Sequence, residues 1–525
     1  MRKDERIIPV LVPEGTALEQ EPELRRAVSL IIGAGYQIDK DAFMYLKEAS
    51  RSADLTALAR SAIEEADKLP SRPLFISRNL LESKMEKFPP LGAFAAPATD
   101  AGNTVFEPYA KQVEADLKVT GDPTNKIRAT GSIEDYVEYF RDRFRKLSRI
   151  MRKRIDVRGA CTILEAYRAA ASSKVKVVCM TSEKRESKGG IVLQVEDLEA
   201  NATVFVPSKN GQLFMKAQRL ALDQVVCICA TKGSDNLLVA DDIIFPDIPA
   251  KKPTKAPLPV CAALISDLHV GSKMFMGRTF DRFLLWLDGK FGDGRVREIA
   301  SHVKYVVIAG DVVDGVGVYP EQLKELEVRD IYKQYELAAK IIGNIPEHIE
   351  VVIIPGNHDA SRRALPQPAI QKEYAEPLYE CRKIYSIGSP STLSLHGVNL
   401  LVCHGRSLDD VISTVPRMSF QAPDEAMKYL LQCRHIAPVY GLRTMIASEK
   451  TDHLVIDQVP DIFQSGHVHM MAHSYYRGVL IVNSGAWQSQ TDYQREMGHV
   501  PNPGIVPIVN LQSLEVVPMD FASAM

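Results

Sequence analysis

Five apolar runs in the second half of this chain each stop at a cluster of Asp, Asn, Gly and His. Residues 260–265 run into Ser266-Asp267-Leu268-His269, and 303–309 into Gly310-Asp311-Val312-Val313-Asp314. Residues 351–354 run into Pro355-Gly356-Asn357-His358-Asp359, 398–403 into His404-Gly405, and 462–465 into Gly466-His467-Val468-His469. Short continuous apolar runs bounded by turn residues read as buried strands. In layered α/β sheets the carboxyl ends of strands are where ligands sit. All twelve histidines lie at residue 269 or later, so the two halves of the chain do different work.

These residue types suit a pair of divalent ions ~3.5–4 Å apart, which need carboxylate to bridge them and imidazole and amide oxygen to complete their shells. Asp311 is the natural bridge. Asp267, His269 and His469 would hold one ion, and Asn357, His404 and His467 the other. Asp-x-His and His-x-His on an extended chain end would direct both side chains of each pair to one side. His358, not needed in either shell, would face the substrate. Such a pair activates water for in-line attack on phosphorus. Asp314 and Asp359, beside the ligands, are expected to orient them or cap a helix. Arg406 is a candidate for a substrate phosphate, with packing or a surface salt bridge as the alternatives, and His435 and His473 are candidates for an outer ligand shell or a nucleotide contact.

The front half is of another kind. Residues 1–69 read as a small helical module, with Leu24, Val28, Ile31 and Ile32 on one helical face and Gly33-Ala34-Gly35 as a break. Residues 70–115 contain Pro/Ala/Gly-rich stretches with no period and read as a flexible linker. Residues 116–250 read as a basic helix followed by a small barrel. Ser132 with Asp135 suits a capping box, and Tyr136, Phe140, Phe144, Leu147 and Met151 form a stripe. Between Arg141 and Arg154 there are eight basic residues and one acid, which suits a packed, solvated face or a phosphate-contacting surface. Five short strands between 174 and 244 fit an oligonucleotide-binding (OB) barrel. Phe205, Phe214 and Phe245 are the visible candidates for base stacking there. Residues 251–525 carry the metal pattern.

At Asp267-x-His269, Gly310-Asp311, Gly356-Asn357-His358-Asp359, His404 and Gly466-His467-x-His469, the chain resembles the calcineurin-like metallophosphoesterase superfamily, in residues and in their order. Cys403-His404-Gly405-Arg406-Ser407-Leu408-Asp409-Asp410, the segment 434–441 and Asn483-Ser484-Gly485-Ala486-Trp487-Gln488 resemble the small subunit of archaeal family-D DNA polymerase. These motifs cover residues 260–510. The front half matches in module order more than in letters.

The resemblance implies a multidomain α+β chain: an N-terminal helical module, an OB-like barrel and a C-terminal phosphoesterase domain of two packed β-sheets flanked by helices. It implies a 3′→5′ proofreading exonuclease using two divalent ions, manganese first with iron or zinc as alternatives. It further implies a large polymerising partner subunit, DNA 3′ ends as substrate, and other replication proteins docking on the N-terminal module. Two other readings stand beside it: a non-catalytic scaffold subunit, and a stand-alone phosphoesterase acting on nucleotides. None of the eight ligand and substrate-facing positions is lost, which favours an active enzyme.

Composition narrows the field further. A formal net charge of −2 and a pI near 6.7 argue against binding nucleic acid by bulk charge. No apolar run reaches the ~18 residues of a membrane span, and no signal-peptide core follows the amino terminus, so a cytoplasmic protein with no membrane partner is expected. Eight scattered cysteines read as reduced thiols.

Overall fold

The computed structural model describes residues 22–34, 36–38, 40–49, 55–68, 75–85, 106–234, 236–496 and 498–523. The chain divides into two compact units, Met1–Thr104 and Val105–Met525.

In the first unit, helices α1 (Pro22–Gly33), α2 (Lys40–Ala49), α3 (Leu55–Lys68) and α4 (Arg78–Met85) surround a core that includes Leu24, Ile31, Leu46, Leu58 and Leu81. Strand β1 (Gln37–Ile38) pairs in parallel with β2 (Phe75–Ile76). Residues 75–85, expected to be linker, instead carry β2 and α4, with Ile76 and Leu81 buried in this core. Residues 86–105 of that linker lie outside the described residues. At its other end, 106–115 carries the short helix α5 (Tyr109–Gln112), and Tyr109, Val113 and Ala115 pack on the main core of the second unit.

The second unit holds two six-stranded sheets and a closed five-stranded barrel. Strand β3 (Leu117–Gly121), expected to belong with the barrel, instead pairs antiparallel with a strand nearly 300 residues away, Leu117 opposite Leu395. Helix α6 (Ile133–Arg152) follows, with the Ser132 hydroxyl accepting from Asp135 N–H at 3.2 Å. The expected capping box is half formed. The Asp135 carboxylate turns to Thr130, taking its N–H at 2.8 Å and its hydroxyl at 2.6 Å. The buried face of α6 carries Tyr139, Arg143, Phe144, Leu147 and Met151, while Tyr136 is exposed.

After α7 (Ile163–Arg168) come β4 (Lys174–Ser187), β5 (Gly190–Glu196), β6 (Asn201–Pro207), helix α8 (Gly211–Gln218), β7 (Val225–Lys232) and β8 (Leu238–Ile244). The barrel closes in the order β4-β5-β6-β8-β7. Its alternating residues, such as Ile191, Leu193 and Val195, fill the interior. Phe214 and Phe245 pack partly buried against this core, and Phe205 is half-buried on β6.

The remaining strands are β9 (Cys261–Ile265), β10 (Val303–Ala309), β11 (Glu350–Ile354), β12 (Ile384–Ser386), β13 (Ser391–Leu395), β14 (Val398–Val402), β15 (Ile462–Ser465), β16 (Ala472–Tyr476), β17 (Val479–Asn483), β18 (Ile505–Asn510) and β19 (Val516–Asp520). One sheet runs β12-β11-β10-β9-β18-β19, the other β16-β17-β15-β14-β13-β3. They pack face to face: Leu264, Val307 and Val352 of the first share a core with Leu400, Ile462 and Val482 of the second. Strands β9, β10 and β11 lie parallel, as do β14 and β15. Their carboxyl ends therefore meet along one edge of the sandwich, where the polar clusters fall.

Candidate metal centre

The ends of β9, β10 and β15 deliver their side chains through turns, and not by the extended chain expected. Asp267, His269, Asp311, His467 and His469 all have φ between 52° and 70°. Asp and His tolerate this left-handed conformation better than branched residues do, and such strain concentrates at functional sites. Two glycines make the close approach possible. Gly310 has φ of 89°, and a Cβ there would meet Gly356 and the His404 ring. A Cβ on Gly356 would overlap Asp311 Oδ1.

Three donor groups converge: Asp267, His269 and His469; His269, Asp311 and His358; Asp311, His404 and His467. Within each, the donor atoms lie within 4.8 Å of one another. His269 Nε2 stands 3.1 Å from His469 Nε2, and His404 Nε2 lies 3.1 Å from Asn357 Oδ1 and 3.2 Å from Asp311 Oδ2. Asp267 Oδ1 is buried with no hydrogen-bond partner. His469 Nε2 stands 3.4 Å and His269 Nε2 3.9 Å from it. A buried carboxylate oxygen left without a hydrogen bond is costly, and a cation between it and the imidazoles removes the cost. The donor set therefore fits divalent metal.

The outer nitrogens of the imidazoles are tied down. His269 Nδ1 meets Asp314 Oδ1 at 2.9 Å, and Asp314 also accepts from Gln488 and Gln322 at 3.1 Å each. His404 Nδ1 meets the Ala309 carbonyl at 2.9 Å. His467 Nε2 lies 3.2 Å from Asp409 Oδ2, and His469 Nδ1 is 2.9 Å from Gln494 Nε2. For His269, His404 and His467 the partner is an acceptor, which selects the tautomer whose other nitrogen is free to hold metal, whereas the Gln494 amide donates to His469 Nδ1. Asp359 accepts from the N–H groups of Gly356, Val312 and Val313, fastening two strand-end turns together.

Electrostatics follow from burial and crowding. Burial opposes ionisation of Asp311, yet the His404, His358 and His269 imidazoles around it hold its carboxyl well below the usual range. Burial likewise opposes ionisation of Asp267, and His469 and His404 outweigh it. Asp359 is pushed up to about 6 by burial and then by the Asp311 charge. His404 is desolvated, which disfavours its charge, but Asp311 and Asp267 raise it to about 9. A bound cation would take the place of that proton.

His358 stands beside this centre, its side chain 14% exposed. Its backbone N–H donates to Asp311 Oδ1 at 2.8 Å and its Nδ1 lies 2.7 Å from the Asp314 carbonyl. Nε2 is 4.0 Å from Asp311 Oδ2 and faces the donor cluster.

Other expected contacts fall elsewhere. His435 is buried with Nε2 2.8 Å from Asp452 Oδ2, and the same carboxylate oxygen accepts from Arg143 Nε at 3.0 Å. It belongs to a buried network holding α6, and so is neither an outer-shell group nor a nucleotide contact. His473 lies on the edge strand β16, opposite Val482. Arg406 is partly buried in the turn after His404; burial opposes ionisation of Asp409, and His467 and then Arg406 outweigh it and hold that carboxyl below the usual range. Asp409, Gln322, Gln488 and Gln494 were not singled out from sequence. Asp409 lies inside the Cys403–Asp410 motif and could have been found there. Gln494 carries no local signal.

Residues 262–471 match the family model for the B subunits of DNA polymerases alpha and epsilon. The DNA polymerase II small subunit of Methanothermobacter thermautotrophicus is 41% identical over 396 residues, 75% of this chain and 81% of that one. That of Archaeoglobus fulgidus is 40% identical over 75% of this chain and 78% of its own. That of Pyrococcus horikoshii is 40% identical over 74% of this chain, which spans 63% of its length. Among solved structures, an archaeal phosphodiesterase is 14% identical over 50% of this chain and 99% of its own, with a TM-score of 0.25. Vps29 from Entamoeba histolytica, in complex with zinc, is 12% identical over the same shares with a TM-score of 0.24.

Proposed function

Because this chain belongs to the family of the small subunit of archaeal DNA polymerase II, we propose that it is the 3′→5′ proofreading exonuclease of that polymerase, hydrolysing DNA phosphodiesters to nucleoside monophosphates alongside a large polymerising subunit. The observation that carries this reading is the complete donor set around Asp267 Oδ1, a buried carboxylate oxygen that no hydrogen bond satisfies. A scaffold released from catalysis has no need to keep left-handed backbone at five donor positions.

In this reading Asp267, His269 and His469 would hold one divalent ion and Asn357, His404 and His467 the other, with Asp311 shared between them. Bound there, two such cations, manganese first, supply Lewis acidity and charge neutralisation at phosphorus. His358 does the remaining work. With Nδ1–H donated to the Asp314 carbonyl, its Nε2 is the nitrogen offered to substrate, and the doubly protonated ring would donate from Nε2 to the phosphoryl oxygens or to the leaving 3′-oxygen. Asp314 fixes both His269 and His358 and so keeps the binding and reacting groups in register. The barrel, closed in the order β4-β5-β6-β8-β7 with α8 after its third strand, supports an OB reading and a partner-docking role.

The test is a gel assay on 5′-labelled single-stranded and mismatched primer DNA with Mn²⁺, with and without the large subunit. A 3′-end ladder from wild type, lost in Asp311→Asn and His358→Ala, is expected. No ladder under either condition would sink the exonuclease reading and leave the scaffold. Preference for mononucleotides over DNA ends would point instead to a nucleotidase.

A further inference from the structure

Two tyrosines at the mouth of the centre have no part in holding metal. The Tyr319 ring lies 6.1 Å from the His358 ring, centroid to centroid, and its hydroxyl donates to Glu325 Oε2 at 2.7 Å, which fixes the ring. Tyr493 stacks on Tyr319 at 6.0 Å with an interplanar angle of 30°. Tyr493 is 53% exposed. It sits on the short helix Asp492–Glu496, whose Gln494 contacts His469 Nδ1 at 2.9 Å, so the helix that carries the tyrosine is anchored to the centre itself.

We propose that Tyr493, backed by Tyr319, is a base-stacking platform that receives a nucleobase next to the phosphodiester held at His358. The proposal rests on the phosphodiesterase reading above and adds to it a means of choosing nucleic acid over other phosphate esters. An aromatic face open to solvent, supported from behind by a second ring, stacks on any base with little sequence preference. Tyr319 gives that face a fixed orientation relative to His358, so stacking positions the sugar and phosphate that follow. Reading the edge of a base would instead need polar groups converging beside the ring. The supporting ring here offers only its face, and its hydroxyl is committed to Glu325.

The experiment compares oligonucleotides with ordinary 3′ ends and with abasic 3′-terminal nucleotides, using the full chain with the large subunit and Mn²⁺. Wild type is expected to favour base-bearing ends by about 5- to 100-fold in kcat/KM, mainly through KM. Tyr493→Ala should lose that preference, Tyr493→Trp should keep it, and both should retain the wild-type metal content by atomic spectrometry. An unchanged preference in Tyr493→Ala would overturn the platform while leaving the exonuclease standing. Metal loss in Tyr493→Ala would overturn it too, by assigning the residue to support of Gln494. Failure of wild type to cleave either DNA would sink the exonuclease reading, and the platform with it.

Discussion

His358 is held through Nδ1 by the Asp314 carbonyl and its Nε2 stands back at 4.0 Å from Asp311 Oδ2, whereas His404 Nε2 is 3.2 Å from the same oxygen. His358→Ala should therefore lower cleavage by about 10²–10⁴-fold while metal content stays at the wild-type level. Gly356→Ala should do the reverse. Its Cβ would press on Asp311 Oδ1, so titration with Mn²⁺ should show weakened binding before any question of catalysis arises. Asp409→Ala removes the group that holds His467 Nε2, and a roughly 10- to 100-fold loss of metal affinity is expected by the same titration. Asp311 and the Asp-x-His and His-x-His pairs were legible because each closes an apolar run. Gln494 was not, because nothing in the letters around it says that it reaches His469.

Helix α6 shows what a charge pattern leaves open. Of its basic run, Arg143 contacts Asp452, Lys146 the Asp452 carbonyl, Arg145 Glu138, Arg149 Asp457, Arg152 the Ala160 carbonyl and Arg154 the Phe245 carbonyl. The basic face is thus largely spent on the chain's own acceptors, which favours the packed reading over a phosphate surface. Arg143→Met strands the buried Asp452 charge and should cost about 3–5 kcal/mol by denaturant melting. The same network sets a pH dependence. Burial and then Arg143 hold His435 below the usual imidazole range. The unfolded state therefore takes up protons first, and stability falls as pH drops below about 6.5. Burial opposes ionisation of Asp452, but His435 and Arg143 hold its carboxyl far down, so its contribution is present above about 4 and lost below it. Thermal melts from about pH 8 to about pH 3 should show both losses on the acid side, and His435→Gln should reduce the upper one, to which His348, His396 and His453, each lowered by burial first, also contribute. Barrel strands β5 and β6 were readable because they alternate in and out, whereas β4 and β7 were readable as continuous apolar runs. The start of α6 was readable only in part, since the Asp135 carboxylate had Thr130 as a competing partner.

At the scale of the whole second unit, the expected cut at residue 251 is not where the structure divides. Strand β3 completes the edge of the second sheet, and Tyr109, Val113, Ala115 and Leu117 pack on the core between the sheets. A fragment of residues 251–525 would bare the β13 edge and that apolar surface, so it should aggregate or melt well below a fragment of 105–525 when both are followed by light scattering and circular dichroism. Strand positions, their polar ends and the identity of the donors were written locally, because apolar runs and the residues that stop them are properties of neighbouring letters. The pairing of β3 with β13, the left-handed turns at five donors and the Tyr319–Tyr493 stack arise only when segments far apart in the chain pack together. Sheet register and ring contacts of that kind depend on which surfaces meet, and a one-dimensional pattern holds no record of that.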